Sequence, residues 1–368
     1  RATNGNAGLW YDKFCDTWKL PDWSLQAVGN DTNPKLKWMK TLTGQAHGAA
    51  AQLEETSTRL IRLSLQQGGL SLVFHAESRF VTGLGRSHPV ENGFAWHPTL
   101  GTPYLPGSSI KGMVRAWAEQ QADPKPDKAT LDRLFGASGR VGAVCFLDAV
   151  PTDPVRVEAD VLTPHYAPWS PDDPPGDWKA PKPIPFLVTA AGLQLLFTVL
   201  PNGRQAKDDL KQDDLKHVET WLTKALTWAG AGAKSAVGYG RMGLDQPKTD
   251  DLWQGEQQRQ QRKQEALREQ ERLASLDPLE LELEQLAAAE PVTSPPSPPY
   301  GAWIKAVESG RWRDQPAEAL QVLDRIETEM RLVGDWKETS QKKNQNKPDR
   351  RFKLTNLVKE LRASTQSG

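Results

Sequence analysis

The chain has 368 residues with 46 Lys plus Arg and 46 Asp plus Glu, so its formal net charge is zero. A globally basic nucleic-acid coat and an acidic disordered chaperone are both excluded. Only two cysteines, Cys15 and Cys145, are present, no apolar run is long enough to span a bilayer and the first residues lack an apolar signal core, so a soluble protein of a reducing cytoplasm is expected.

Residues 1–58 read as an arm with a helical segment, whose Trp10, Trp18, Trp23 and Trp38 are expected to pack on a neighbour. A main domain over residues 59–250 opens with strand-like runs at Arg59–Leu65 and Leu70–Phe74. Pro106-Gly107 then breaks the chain, and Ser108 or Ser109 can cap a helix. Ile110, Met113, Val114 and Trp117 follow as one apolar stripe. Gly142–Val150 reads as a strand, and residues 151–183 as a long Pro- and Asp-rich connection. Ile184–Thr189 and Leu193–Leu200 read as a hairpin around Ala191-Gly192. A helix from about Asp213 to Ala229, with Leu215, Val218, Leu222, Ala225 and Leu226 inward, runs into the glycine-rich stretch Gly230–Gly243.

Beyond residue 250 the composition shifts. Residues 251–290 form a charged helical segment with 5 basic and 10 acidic side chains. Within it, Glu269–Arg272 is a supporting pair and Asp277-Pro278 a helix start. Residues 291–299 are a Pro-rich linker, and residues 300–368 a helical, basic C-terminal extension; within it residues 337–362 carry 9 basic and 3 acidic side chains. The neutrality of the whole is therefore partly a cancellation. The mixed order of strands and helices predicts an α+β fold, ferredoxin-like (RRM-like), rather than a doubly wound sheet.

Two segments carry chemistry. In Tyr104–Arg115 a helix N-terminus offers unpaired N–H groups, Gly107 permits close approach, and Ser108, Lys111 and Arg115 share a face suited to a phosphate backbone. In Gly230–Gly243 a Walker loop is excluded by Ala233 before Lys234 and by the helix–loop–strand order. The dinucleotide spacing of Gly238–Gly243 is set aside because Gln246-Pro247 is expected to prevent a following helix. What remains is a flexible, cationic loop with Lys234, Ser235 and Arg241, whose amides can line a nucleic-acid strand.

Together these segments resemble the two hallmarks of the RAMP proteins of CRISPR systems. Asn6–Phe14, Trp96–Ala118, Gly142–Pro151, Asp160–Tyr166, Pro181–Leu187 and the glycine-rich loop, in that order, resemble the RAMP subunits near the guide 3′ end of type III-B (Cmr) effectors. The resemblance covers about residues 5–245. It implies a non-catalytic structural subunit that binds guide (CRISPR) RNA, caps the backbone filament and serves antiviral defence. Its implied partners are guide RNA, other Cmr-type RAMP and small subunits, and target RNA, with no membrane, metal or cofactor. The expected RNA contacts are Gly107, Ser108, Ser109, Lys111, Arg115, Gly232, Lys234, Ser235, Tyr239 and Arg241. Lys337, Lys342, Lys343, Lys347, Arg350, Arg351 and Lys353 could add RNA contacts, dock on another subunit or form a solvated surface. The alternative is a metal-independent guide-processing endoribonuclease using a loop histidine, with His97 and His165 as the first candidates among His47, His75, His88, His97, His165 and His217.

Overall fold

The computed structural model describes residues 5–25, 33–163, 183–203, 209–289, 298–339 and 350–367. The chain forms two compact units, Arg1–Gln260 and Gln261–Gly368. In the first unit the helices are α1 (Ala7–Lys13), α2 (Pro34–Lys40), α3 (Ala50–Gln67), α4 (Gly107–Gln120), α5 (Lys128–Phe135) and α6 (Asp214–Lys224). Its strands are β1 (Ala46–His47), β2 (Leu70–Ala76), β3 (Ser87–His88), β4 (Glu91–Asn92), β5 (Val144–Phe146), β6 (Val150–Pro151), β7 (Val155–Leu162), β8 (Ile184–Thr189), β9 (Gln194–Pro201) and β10 (Met242–Leu244). Helix α7 (Gln246–Ser275) follows β10 and runs through the division between the units.

The architecture is α+β with antiparallel sheets. The central sheet has the order β10-β2-β9-β5, and β6 also pairs with β9. Numbered along the chain, its four path strands lie fourth, first, third, second. Helices α4 and α6 cover one face. Ile110, Val114 and Ala118 recur every fourth residue, so α4 presents one apolar stripe. That stripe joins Leu72 and Phe74 of β2, Phe197 of β9 and Leu222 of α6 in one core. Full burial of a side chain such as Ile110 contributes about 1.5–3 kcal/mol.

The opposite face is also covered. Helix α3 turns Leu53, Ser57, Ile61 and Ser64 inward. Ile61 packs on Val73 and Leu196, with Leu252 and Trp253 of α7 beside them. A buried hydroxyl chain ties α3 to the strands, with Ser64 Oγ to Ser71 Oγ at 2.6 Å and Ser71 Oγ to Thr198 Oγ1 at 2.9 Å. An RRM-like sheet that stacks bases on an open face is therefore not what this chain builds. The same packing explains why Arg59–Leu65 is helix and not strand: its inward positions are Ile61 and the serine Ser64, so Ile61, Leu63 and Leu65 alternate while burial follows a helical period.

Three further expectations change. Ile184–Thr189 and the following strand do not pair as a hairpin: β8 pairs with β7 in a small sheet of order β1-β7-β8, while β9 enters the central sheet. β7 lies inside the stretch read as a connection; its buried Val155 and Val157 alternate with Arg156 and Glu158. A helix does follow the glycine-rich loop and β10, because Pro247 falls in its first turn, where a missing N–H is tolerated. The dinucleotide reading still fails, since the strand comes after the glycines rather than before them.

The arm packs into the first unit. Tyr11, Trp38 and Met39 join Phe94, Trp96, Phe186 and Val188 in a second core beside the small sheet. In the second unit α8 (Pro278–Ala288), α9 (Tyr300–Glu308), α10 (Pro316–Leu332) and α11 (Arg350–Ser367) gather around Trp303, Trp312, Leu323, Ile326 and Val358. Asp277 caps α8 by accepting from the Glu280 amide at 2.9 Å, and Arg272 pairs with Glu269, both as their spacing predicts. Pro291–Ser297, His165, Lys342, Lys343 and Lys347 lie outside the described residues.

Candidate functional site

Helix α4 starts at Gly107 behind Pro106, and no side chain of its own first turn caps it. The Gly107 amide donates to Asp148 Oδ1 at 2.7 Å, so a carboxylate of the same chain answers the positive helix end. The expected serine cap, and an open N-terminus awaiting phosphate, are both replaced by Asp148. A Cβ on Gly107 would stand 2.2 Å from the Phe146 carbonyl oxygen, so the glycine is required by packing against β5.

Ser108 and Ser109 are exposed in the first turn. At 100° per residue, Ser108, Lys111 and Arg115 lie on one side of α4, while Ser109, Met113, Trp117 and Gln120 lie on another. Arg115 is engaged internally: its guanidinium donates to Glu119 Oε1 at 2.7 Å, the Gly136 carbonyl at 2.9 Å and Asp132 Oδ1 at 3.5 Å. Lys111 has no ion partner among the described residues.

The glycine-rich loop is pinned rather than flexible. The Ala233 amide donates to the Val81 carbonyl, the Gly240 amide to the Arg79 carbonyl and the Ala231 amide to the Gly240 carbonyl, each at 2.8 Å. Gly232 and Gly240 have φ of +83° and +73°, and Cβ atoms there would stand 2.1 Å from the Val81 carbonyl oxygen and 1.9 Å from that of Ala231. Those amides are spent on protein. Tyr239 donates its hydroxyl to Asp160 Oδ2 at 2.6 Å, beside the Arg79 guanidinium at 2.9 Å. Burial pushes the Asp160 carboxyl up, but these donors and the Val161 amide outweigh it and hold it below the usual carboxylate range. Arg241 donates to the carbonyls of Thr227 and Trp228 at 3.2 and 2.7 Å. Lys234 is held in the left-handed region at φ +59°, with its ammonium 5.5 Å from the Phe186 ring centre.

The loop and α4 face each other across a cleft of about 740 Å³, lined by Gly83, Ser109, Met113, Trp117, Gly232 and Ser235 among others. The structure thus brings Ser109, Gly232 and Ser235 together, while Lys111 and Arg115 lie on another side of α4 and do not line the cleft. Sequence reasoning missed two residues that matter here. Asp148 lies in a segment read only as strand. Trp228, near the end of the helix expected over Asp213–Ala229, lines the cleft and is 65% exposed. Its position at the end of a one-turn π-helix, Ala225–Ala229, rotates it away from the core.

Three of the described histidines hold main-chain groups. His47 Nε2 bonds the Leu42 carbonyl at 2.6 Å. His88 stacks on Tyr11, donates from Nε2 to the Tyr11 carbonyl and accepts at Nδ1 from the Val90 amide. His97 Nδ1 accepts from the Leu100 amide at 3.3 Å. Burial pushes all three below the ordinary histidine value. No cluster of metal-ligating side chains exists among the described residues.

The RAMP superfamily model matches residues 73–243, from β2 to β10. The chain is similar to the CRISPR system Cmr subunit Cmr6 of Pyrococcus furiosus, 28% identical over 46% of this chain and 66% of the relative. It is also similar to the Cmr6 subunit of Saccharolobus solfataricus, 30% identical over 40% of this chain and 47% of the relative. The match spans less than two thirds of either relative. A chain in the cryo-EM structure of type III-B Cmr-beta bound to cognate target RNA aligns with a TM-score of 0.47, at 22% identity, over 61% of this chain and 78% of that one.

Proposed function

We propose that this chain, which carries a RAMP-superfamily domain over residues 73–243 and resembles Cmr6, is a non-catalytic, RNA-binding subunit of a type III-B CRISPR ribonucleoprotein. It grips the backbone of guide RNA near the 3′ end and caps the filament of RAMP subunits, in the cytoplasm and in contact with other Cmr-type subunits and target RNA. The observation that carries this reading is the meeting of the two signature segments at one cleft, with Ser109 on one wall and Gly232 and Ser235 on the other.

The domain is ferredoxin-like in this reading, supported by the fourth-first-third-second strand order and by α4 and α6 on one face. Residues 59–250 are that domain, residues 1–58 its arm, and residues 251–368 a charged segment, linker and helical extension. Grip on phosphate needs cations that are not already committed. Lys111 and Lys234 meet that condition; Arg115 and Arg241 hold the protein's own carbonyls and carboxylates. The non-catalytic reading is supported by the hydrogen bonds that tie one ring nitrogen of each of His47, His88 and His97 to a main-chain group.

The test is binding of a labelled single-stranded RNA by the full chain carrying Lys111→Glu and Lys234→Glu together. The expected result is weaker binding regardless of RNA sequence, with a salt slope reduced by roughly one per lost phosphate contact. Unchanged affinity and slope would overturn the grip. Cleavage of repeat-containing RNA in EDTA, abolished by His97→Ala, would overturn the non-catalytic assignment.

A further inference from the structure

We propose that the cleft between α4 and the glycine-rich loop takes one unstacked nucleobase, with the Trp228 indole as its stacking surface. This rests on the reading of the chain as an RNA-binding subunit and specifies which part of the RNA enters the cleft.

Trp228 is 65% exposed, yet it stands on the wall of a concave site rather than on a convex surface. Met113 and Trp117 supply further apolar wall, and the volume of about 740 Å³ lies in the range of small-ligand sites. Ser109, Gln120, Gln121 and Ser235 bring hydroxyls and amides that can both donate and accept, the chemistry a base edge requires. Among the described residues no acidic side chain lines the cleft, so a phosphate flanking the base meets no carboxylate there.

An apolar side chain of a protein partner would use the tryptophans but leave the polar wall unpaired. A nucleobase, with a flat π-face and a hydrogen-bonding rim, uses both. The expected selectivity is for single strands over duplex, with little preference among bases, because every base offers a face to stack.

Trp228 can be altered without touching the core. Only its main-chain carbonyl accepts from Arg241, so replacing the ring leaves that bond in place. The experiment titrates the full chain at low salt with a fluorescein-labelled single-stranded RNA 12-mer, comparing wild type, Trp228→Ala, Trp228→Tyr and Lys234→Ala. Trp228→Ala is expected to weaken binding about 5- to 100-fold with an unchanged salt slope. Trp228→Tyr should recover most of the loss, and Lys234→Ala should lower the slope instead. If Trp228→Ala binds as wild type while Lys234→Ala does not, the RNA-binding reading stands, the base pocket is overturned and the exposed ring passes to a protein partner. If the wild-type chain binds no RNA, both readings fall.

Discussion

Replacing Gly232 by alanine separates two roles that a signature glycine can play. If the glycine exists to let a phosphate approach, the variant should fold normally and lose RNA. The structure argues otherwise. Gly232 has φ +83°, and an added Cβ would stand 2.1 Å from the Val81 carbonyl oxygen, which itself accepts the Ala233 amide. The left-handed conformation costs an alanine about 1–2 kcal/mol. Relieving the clash requires the carbonyl to move by about an ångström, which disrupts that hydrogen bond for about another 1–2 kcal/mol. The sum is about 2–4 kcal/mol, or a fall in melting temperature of roughly 5–15 °C for a unit of this size. Gly238 is the internal control, with φ +98° and nothing within 4 Å of its would-be Cβ, so Gly238→Ala carries the conformational term alone. Thermal and urea unfolding of the three proteins measure the difference. Equal stability of Gly232→Ala and Gly238→Ala would refute the close-contact argument, as would a Gly232→Ala protein as stable as wild type that has lost RNA.

Arg133 and Asp214 form a bidentate pair with side-chain exposures of 12% and 5%, and Asp214 also accepts the Lys211 amide at 2.7 Å. Asp214→Ala leaves the guanidinium without its carboxylate, with the Asp209 carbonyl at 2.7 Å remaining, and should cost about 3 kcal/mol in urea unfolding, near the low end for broken buried pairs; a loss below about 1 kcal/mol would contradict this. Burial lowers the pKa of His47, His88 and His97, so the unfolded chain binds protons first as the medium is acidified. Stability present above pH about 6.5 should therefore be lost progressively below it, read as a falling melting temperature between about pH 6.5 and 5 that His88→Gln flattens. A melting temperature that holds or rises over that interval would contradict the sign. Arg115→Ala should lower stability by about 1 kcal/mol while leaving the salt slope of RNA binding at its wild-type value, since the guanidinium serves α5 and the Gly136 carbonyl. A reduced slope would show that it reaches phosphate after all.

The local signals read best where one physical rule acts alone. The apolar repeat Ile110–Val114 placed α4, and Asp277-Pro278 placed the start of α8. They failed where distant residues decide. Asp148 caps α4 from 41 positions away, a distance at which no capping-box spacing operates. Ser64 is inward only because Ser71 and Thr198 meet it, so α3 looked like a strand until its partners were in place. Residues 184–201 carry two good strands, but which sheet each joins depends on β7 and β2, not on the turn between them. For the candidate site, the two signature segments were legible and their meeting was not. The cationic face of α4 was legible too, but Gly136 and Asp132, which engage Arg115, belong to the end of α5.

A four-stranded sheet of this order, left bare on one side, works as a page on which bases lie flat and are told apart letter by letter. Here Ser64, Ser71 and Thr198 fasten that page shut, and Val73 and Leu196 lie under Ile61. In the proposed RNA-binding role, a chain closed in this way judges a strand by its outline and charge rather than by its spelling. If the chain holds guide RNA as proposed, drift in guide sequence exerts no pull on these buried positions, which answer only to the fit of helix on sheet.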